Sequence, residues 1–139
     1  MRNLLFTVLF TAALSSLSLA QDRPTETDIA ADWCLNVMGQ PADHLEARLS
    51  SGHRVDCIVD TGFATYAVEV DWARGQKHLE GLGQALLYAA LTGHRPGLAL
   101  LIHGPAGCKH LEAVHVAIAA HGLDVRVWAL GYGCDAVSW

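Results

Sequence analysis

The pattern of hydrophobic and polar positions predicts alternating helices and strands along most of the chain. The continuous apolar run at 98–102 is typical of a strand buried on both faces, and amphipathic periodicity elsewhere is typical of helices. Polar and glycine-rich segments separate the elements. The pattern predicts helices over 27–38, 75–91 and 108–120, and strands over 44–49, 54–60, 65–72, 98–102 and 125–130.

The predicted order of elements, α-β-β-β-α-β-α-β, indicates an α/β protein. Three consecutive strands followed by a β-α-β unit imply a mixed central sheet that is flanked by helices. We see no internal repeat, low-complexity tract or linker after residue 20. Residues 21–139 are therefore expected to form a single domain with one modest core.

The first 20 residues have the features of a secretory signal peptide. Arg2 supplies the basic start, residues 4–14 form an apolar core, and Ser18-Leu19-Ala20 is a small-x-small cleavage sequence. The apolar core is too short for a good membrane span. We therefore expect cleavage after Ala20 and a mature protein that is periplasmic or secreted.

Four cysteines remain after cleavage, at positions 34, 57, 108 and 134. An even number in a small exported domain favours disulfide bonds over buried free thiols, with three possible pairings. In a right-handed β-α-β unit, the carboxyl ends of both strands lie on one side. Cys108 follows one such strand and Cys134 follows the next. We therefore expect a Cys108–Cys134 bridge, which leaves Cys34 and Cys57.

The chain is acidic, with a formal net charge of −5 at pH 7. Loss of Arg2 with the signal peptide makes the mature domain more acidic still. A protein with this charge is a poor non-specific binder of nucleic acid. The composition therefore argues against broad, charge-driven nucleic-acid binding.

Three carboxylates lie inside apolar runs that we predict to be strands. Glu69 and Asp71 are two residues apart, so they share one face of their strand, while Val68 and Val70 share the other. Asp56 lies in the preceding strand. Buried carboxylates are costly unless they are paired or bound to metal. The pattern predicts a divalent-metal site, and the alternative is that Asp71 ends its strand at solvent and Asp56 caps a turn.

The helix that follows carries a polar stripe. At about 100° per residue, Lys77, Gln84 and Tyr88 fall within roughly 40° of one another. Solvent is one explanation for this stripe, and the carboxylates at the ends of the neighbouring strands are the other. Four residues are expected on the opposite, apolar side: Leu79, Leu82, Leu86 and Ala90.

The succession Asp56, then Glu69-Val70-Asp71, then Gln84-x-x-x-Tyr88 resembles the PD-(D/E)XK nuclease superfamily, in its branch with a QxxxY helix. The predicted αβββαβ order is similar to the restriction-endonuclease-like core of that superfamily. The resemblance covers about residues 44–103. It implies a nuclease or related phosphodiesterase that uses Mg²⁺ or Mn²⁺ and has nucleic acid as its substrate.

The resemblance also implies roles for individual residues. Asp56 and Glu69 are expected to hold the metal ion together with the backbone carbonyl of Val70, since hard oxygen ligands suit Mg²⁺. Gln84 and Tyr88 are expected to position the attacking water or the phosphate backbone.

The chain departs from the superfamily pattern at the catalytic lysine, because Asp71 occupies that position. Lys77 is the natural substitute, and Asp71 then becomes a third metal ligand or a ligand of a second ion. The alternative is a catalytically inactive fold that acts as a periplasmic or secreted binding module. A basic groove near Lys77, Arg74 and Arg54 favours the enzyme, whereas a flat apolar patch there favours the module.

The sequence also predicts the environment of several histidines and tryptophans. Four histidines near element ends are expected in solvent: His78, His94, His103 and His121. Three tryptophans are expected in the core rather than on a stacking surface: Trp33, Trp72 and Trp128.

Overall fold

The structure, a computed structural model, describes residues 23–134, and it confirms the predicted α/β architecture. The predicted signal peptide lies outside the described residues. The helices are α1 (Glu26–Asp32), extended by a π-helical turn at Trp33–Val37, α2 (Lys77–Thr92) and α3 (Pro105–His121), with a 3₁₀ turn at Ala42–His44. The strands are β1 (Leu45–Arg48), β2 (Arg54–Asp60), β3 (Thr65–Trp72), β4 (Arg95–Ile102) and β5 (Arg126–Gly131).

The five strands form one mixed sheet in the order β1-β2-β3-β4-β5. The pairs β1–β2 and β2–β3 are antiparallel, whereas β4 runs parallel to both β3 and β5. Val68 and Val70 of β3 pack with α1 on one face of the sheet. Leu98 and Leu100 of β4 pack with α2 and α3 on the other. The sheet is therefore covered by helices on both faces, as predicted.

Two elements begin three residues earlier than the pattern predicted. α3 starts at Pro105, where we expected a loop up to Cys108. Proline is favoured in the first turn of a helix because its missing N–H has no partner to lose there. β4 starts at Arg95. Pro96 is compatible with this earlier start, since a sheet tolerates proline next to the end of a strand.

The buried face of α2 differs from the predicted apolar side. Leu79 is half exposed, and small residues face the sheet instead. A Cβ at Gly81 would lie 3.1 Å from the Cβ of Asp71 and 3.0 Å from Cδ1 of Leu98. The prediction is confirmed for Leu82 and Leu86 and wrong for Leu79 and Ala90, because a hydrophobicity pattern does not show how closely a glycine lets a helix approach. As a result, α2 lies directly against the acidic end of β3.

His78 was predicted in solvent, and the structure corrects this. It lies in the first turn of α2, is 6% exposed, and its ring centre is 4.5 Å from that of His110 on α3. Burial lowers the pKa of His78, and the neighbouring His110 adds to the effect. Its Nδ1 has no hydrogen-bond partner among the described residues. The helix–helix contact, which the local sequence does not reveal, buries this ring.

The expected Cys108–Cys134 bridge is confirmed, with Cα atoms 5.6 Å apart, and it ties α3 to the chain after β5. The remaining pair also forms a bridge. Cys34 and Cys57 are both fully buried, and they join the π-helical turn after α1 to β2. This second bridge holds α1 against the strand that carries Asp56.

Removal of either disulfide is expected to destabilise the protein. The bridges span 23 and 26 residues, and loop closure of that length contributes about 3 kcal/mol by chain entropy. Cys34→Ala/Cys57→Ala should lose more than Cys108→Ala/Cys134→Ala, because it also leaves a void in the core. Urea unfolding of both double variants tests this. A loss below about 1 kcal/mol for the Cys34–Cys57 bridge would contradict it.

Candidate metal centre

The candidate site lies where β2 and β3 separate. The paired residues of these two strands run from Asp60 opposite Thr65 to Cys57 opposite Val68. Beyond that point, the backbone N–H of Val70 donates to Oδ2 of Asp56 over 2.9 Å. The side chain of Asp56 therefore replaces a backbone acceptor and is held beside β3.

Glu69 and Asp71 are buried beside this point. They are 8% and 4% exposed, although both are carboxylates. Asp71 faces α2 at Gly81, while Val68 and Val70 face α1, as strand alternation predicts. Oδ1 of Asp71 accepts a hydrogen bond of 2.8 Å from the backbone N–H of Trp72. The structure thus places Asp56, Glu69 and Asp71 in one neighbourhood.

A fourth carboxylate, Glu26, joins the three that the sequence indicated. It belongs to the first turn of α1, and its carboxylate interacts electrostatically with that of Asp71. Burial raises the pKa of Glu26, and the Asp71 and Asp56 carboxylates raise it further. The sequence carries no signal for this role, because acidic residues are common in the first turn of any helix. We call Glu26, Asp56, Glu69 and Asp71 the carboxylate cluster.

A small pocket of about 140 Å³ opens beside the cluster. Glu26 and Asp56 line it, together with Glu46 of β1. The backbone of Glu46 has φ of 49°, a left-handed conformation that is unusual for a residue other than glycine. Glu46 pairs with Arg54 over 3.4 Å and is not buried, so we assign it to the rim of the pocket.

Glu69 has the most perturbed environment in the cluster. Burial, and then the charges of Asp56 and Asp71, raise the pKa of Glu69 to about 9. The side chain of Asp56 raises it further by direct interaction, as the last and smallest cause. Burial is also the main cause that raises the pKa of Asp56 and of Asp71. Oε2 of Glu69 is buried with no hydrogen-bond partner in the described part of the chain.

These donors fit a hard divalent cation. Carboxylate oxygens are the ligands that Mg²⁺ and Mn²⁺ prefer, and the buried Oε2 of Glu69 has no hydrogen-bond partner within the described residues. As they stand, no three His, Cys, Asp or Glu side chains among residues 23–134 are positioned to hold a metal ion. Metal binding would therefore require loss of the proton on Glu69 and movement of the carboxylate side chains.

Lys77 and Gln84 lie on an exposed flank of α2. The Lys77 ammonium pairs with Oε2 of Glu80 over 3.0 Å, and its side chain is 54% exposed. Its charge also acts on Asp71 and Glu26. Within the described residues, its ion pair is therefore with Glu80 and not with Asp56 or Glu69.

Tyr88 differs from Lys77 in being buried. It is buried, one turn after Gln84, and packs with Ile58 and Ala67. Burial raises the pKa of Tyr88, and the carboxylates of Glu69 and Asp56 raise it further. The predicted stripe on α2 therefore runs along the border of the buried face, and its last residue reaches the interior.

Arg54 is the cation whose charge acts on Asp56. It lowers the pKa of Asp56, against the larger raising effect of burial. Its side chain is half exposed and pairs with Glu46. We predicted Arg54 only as part of a possible basic groove, although its position two residues before Asp56 on β2 places both on one face of the strand.

Glu69→Gln is expected to stabilise the metal-free protein at alkaline pH. Because the folded-state pKa of Glu69 is raised to about 9 from a usual 4.5, its protonated form stabilises the fold below pH 4.5. That contribution is lost as pH rises towards 9. A neutral Gln removes the penalty, which is on the order of 5 kcal/mol at pH 8.5.

Urea unfolding in EDTA at pH 5 and pH 8.5 measures this effect. The gain of Glu69→Gln over the unaltered protein should be small at pH 5 and large at pH 8.5. Glu112→Gln, an exposed change on α3, is the control and should alter stability little at either pH. An equal gain at both pH values would show that the carboxyl group of Glu69 is not the cause.

Comparison of the chain with protein-family models, with curated proteins and with solved structures gave no match. The resemblance to PD-(D/E)XK nucleases therefore rests on the order and placement of residues in this chain.

Proposed function

We propose that this protein is an exported nuclease or related phosphodiesterase that depends on Mg²⁺ or Mn²⁺. The observation that carries the proposal is the buried, unpartnered Oε2 of Glu69 beside Asp56, at the point where two strands separate. Such a group is costly in a folded protein unless a ligand satisfies it. A bound divalent cation satisfies it with the ligand chemistry of a phosphodiesterase site.

The residues of the chain take distinct roles in this proposal. Asp56 and Glu69 hold the cation, and Asp71 and Glu26 complete the acidic shell around it. A divalent cation at such a site lowers the pKa of a bound water and offsets phosphate charge. Tyr88 lies within the electrostatic range of Glu69 and Asp56, where its hydroxyl group can orient a water or a phosphate oxygen.

Three cations lie close to the residues of the cluster in sequence, although the chain is acidic overall. Arg54 lies two residues before Asp56. Arg74 and Lys77 follow Asp71 by three and six residues, and all three cations are exposed. Long cationic side chains at the rim of a metal site can receive a nucleic-acid backbone even when the net charge is negative. The net negative charge of the chain argues against a nucleic-acid substrate, and these three cations weaken that argument.

Incubation of the purified mature protein with mixed DNA and RNA, with Mg²⁺ or Mn²⁺ and with EDTA, tests the proposal. We expect hydrolysis that requires the metal and that EDTA abolishes. Asp60→Asn, an exposed change at the end of β2, should hydrolyse as the unaltered protein does. An absence of hydrolysis with every substrate and metal would contradict the proposal.

A second candidate function is a binding module on an inactive fold. The observation that favours it is the pairing of Lys77 with Glu80, together with an aspartate at the position of the family's lysine. In that case no cation acts on the reacting phosphate from the expected position. Metal binding without hydrolysis, measured on the same preparation, is the result that this alternative predicts.

The proposal includes export of the protein from the cytoplasm. Between residues 23 and 134, no helix has the length and apolar character needed to cross a membrane. Two disulfide bonds in the same stretch fit an oxidising compartment. From the predicted cleavage after Ala20, we expect N-terminal sequencing of the exported protein to begin at Gln21. Recovery of an intact Met1 from soluble cytoplasmic material would contradict export.

A further inference from the structure

A second cleft opens at the carboxyl ends of the parallel strands β3, β4 and β5. Two adjoining lobes, of about 360 and 420 Å³, share Trp72 at the end of β3 and Leu101 of β4. Leu130 of β5 lines one lobe, and the first turn of α3 lines the other. In open α/β sheets, ligands bind outside the carboxyl ends of the strands. We call this the strand-end cleft.

The strand-end cleft is cationic in a chain that is acidic overall. Arg23, Arg74, His103 and His110 line it, and no Asp or Glu is among its described lining residues. The cleft also receives the amino end of α3, which has no side-chain cap at Gly104 and no acidic residue in its first turn. The positive end of the helix dipole adds to the charge of the arginines. The cleft is therefore complementary to an anion.

The walls of the cleft are also suited to a flat aromatic group. The guanidinium of Arg74 lies 5.2 Å from the centre of the Trp72 ring. It makes no salt bridge in the part of the chain that the structure describes. Indole and guanidinium planes both stack on nucleobases. An apolar floor, an aromatic wall and cationic groups together match a nucleotide better than they match a free anion.

The cleft adjoins the carboxylate cluster through two elements. Trp72 directly follows Asp71 on β3, and Arg23 lies three residues before Glu26, which is the first residue of α1. One residue of a strand advances about 3.3 Å, so the two sites begin within a short distance of one another. A strand of nucleic acid held by its phosphate at the cluster can place a neighbouring nucleotide in the cleft.

We propose that the strand-end cleft binds the nucleotide next to the scissile phosphate. The base stacks on the surface formed by Trp72 and Arg74, and the phosphate lies near His103, His110 and the amino end of α3. This inference rests on the proposed function, since a nucleic-acid substrate defines the ligand. The cleft then selects substrates with an unpaired, stackable base at that position.

NMR titration of the ¹⁵N-labelled mature protein in EDTA tests the inference without hydrolysis. The probes are dAMP, deoxyadenosine and inorganic phosphate. We expect dAMP to shift the indole N–H of Trp72 and the amides of Ala106 and Gly107, and to bind more tightly than either part alone. Phosphate that binds as tightly as dAMP, or no shift at these positions, would overturn the inference.

Two variants locate the contact. Arg74→Gln is expected to weaken dAMP binding about 10-fold, because it removes a charged partner and part of the stacking surface. Trp72→Ala is expected to weaken it at least as much, and Arg74→Gln keeps the test intact if loss of the half-buried Trp72 impairs folding. Arg126→Gln is the matched control. Its guanidinium lies 5.1 Å from the Trp128 ring, at the opposite end of β5 from the cleft.

Arg126→Gln should bind dAMP as the unaltered protein does, and equal weakening in both arginine variants would overturn the inference. The result is separable from that of the proposed function. Binding of dAMP in the cleft without any nuclease activity would reject the nuclease alone. Metal-dependent hydrolysis that is unchanged in Arg74→Gln, with no shift at Trp72, would reject the cleft alone.

Discussion

Asp56→Asn is expected to reduce hydrolysis by about 10³-fold or more. In the proposed site, Asp56 supplies a charged ligand, and a catalytic metal contributes several kcal/mol of transition-state stabilisation. Asparagine retains an oxygen that can accept the 2.9 Å hydrogen bond from Val70, so the strands should stay in place. The expected loss is therefore chemical and not a consequence of unfolding.

Rate measurements at saturating Mn²⁺, with melting curves recorded beside them, check this expectation. Asp60→Asn removes a carboxylate from the same strand, but an exposed one whose Oδ1 accepts from the N–H of Gly62 in the following turn. Its rate should remain close to that of the unaltered protein. Comparable rates for Asp56→Asn and Asp60→Asn would remove Asp56 from the mechanism.

Lys77→Ala is expected to lower kcat by roughly 10²–10³-fold, the usual loss when one transition-state contact is removed. The ammonium pairs with Glu80 in the absence of substrate, and both side chains are about half exposed, so this pair contributes little to stability. A phosphate at the carboxylate cluster would compete with Glu80 for the ammonium. The reorientation of one flexible side chain is sufficient for that change.

Lys77→Arg separates catalysis from simple charge balance. An arginine preserves the charge but not the compact ammonium group, so we expect it to remain well below the activity of the unaltered protein. Lys109→Ala, on the exposed side of α3, is the matched control and should leave kcat unchanged. Normal turnover in both Lys77 variants would show that Lys77 only balances the acidic residues nearby.

The strands that carry the site were predictable because their apolar runs are long and bounded by turns. The bounds of β2 and β3 match the prediction, and so does the alternation that separates Val70 from Asp71. The Cys108–Cys134 bridge followed from the handedness of the β-α-β unit. In each case, a local pattern and a general topological rule were sufficient.

Other parts of the site depend on contacts between elements that are distant in sequence. Glu26 meets Asp71 only because α1 folds back over the sheet, and its own sequence context is that of an ordinary helix start. Gly81 can face β3 closely because it has no side chain. A hydrophobicity pattern treats glycine as neutral, so it does not predict this contact. Trp72 was expected in the core, and it does pack against it, but its strand ends there and leaves the ring beside an open cleft.

We expect a proton and a metal ion to compete for the carboxyl group of Glu69. The buried carboxyl group holds a proton at neutral pH when no cation is present, so cation and proton compete for the same site. Affinity for Mg²⁺ or Mn²⁺ should therefore rise with pH.

Thermal unfolding of the mature protein at pH 8, in EDTA and with Mn²⁺ or Mg²⁺, tests the central claim most directly. A cation present at about 100 times its Kd stabilises the folded form by about 2.7 kcal/mol, which corresponds to a rise in Tm of roughly 10 °C. We predict that rise in the unaltered protein and in Asp60→Asn, and none in Asp56→Asn or Glu69→Gln. The same rise in all four proteins, or in none, would contradict a divalent-metal site at the carboxylate cluster.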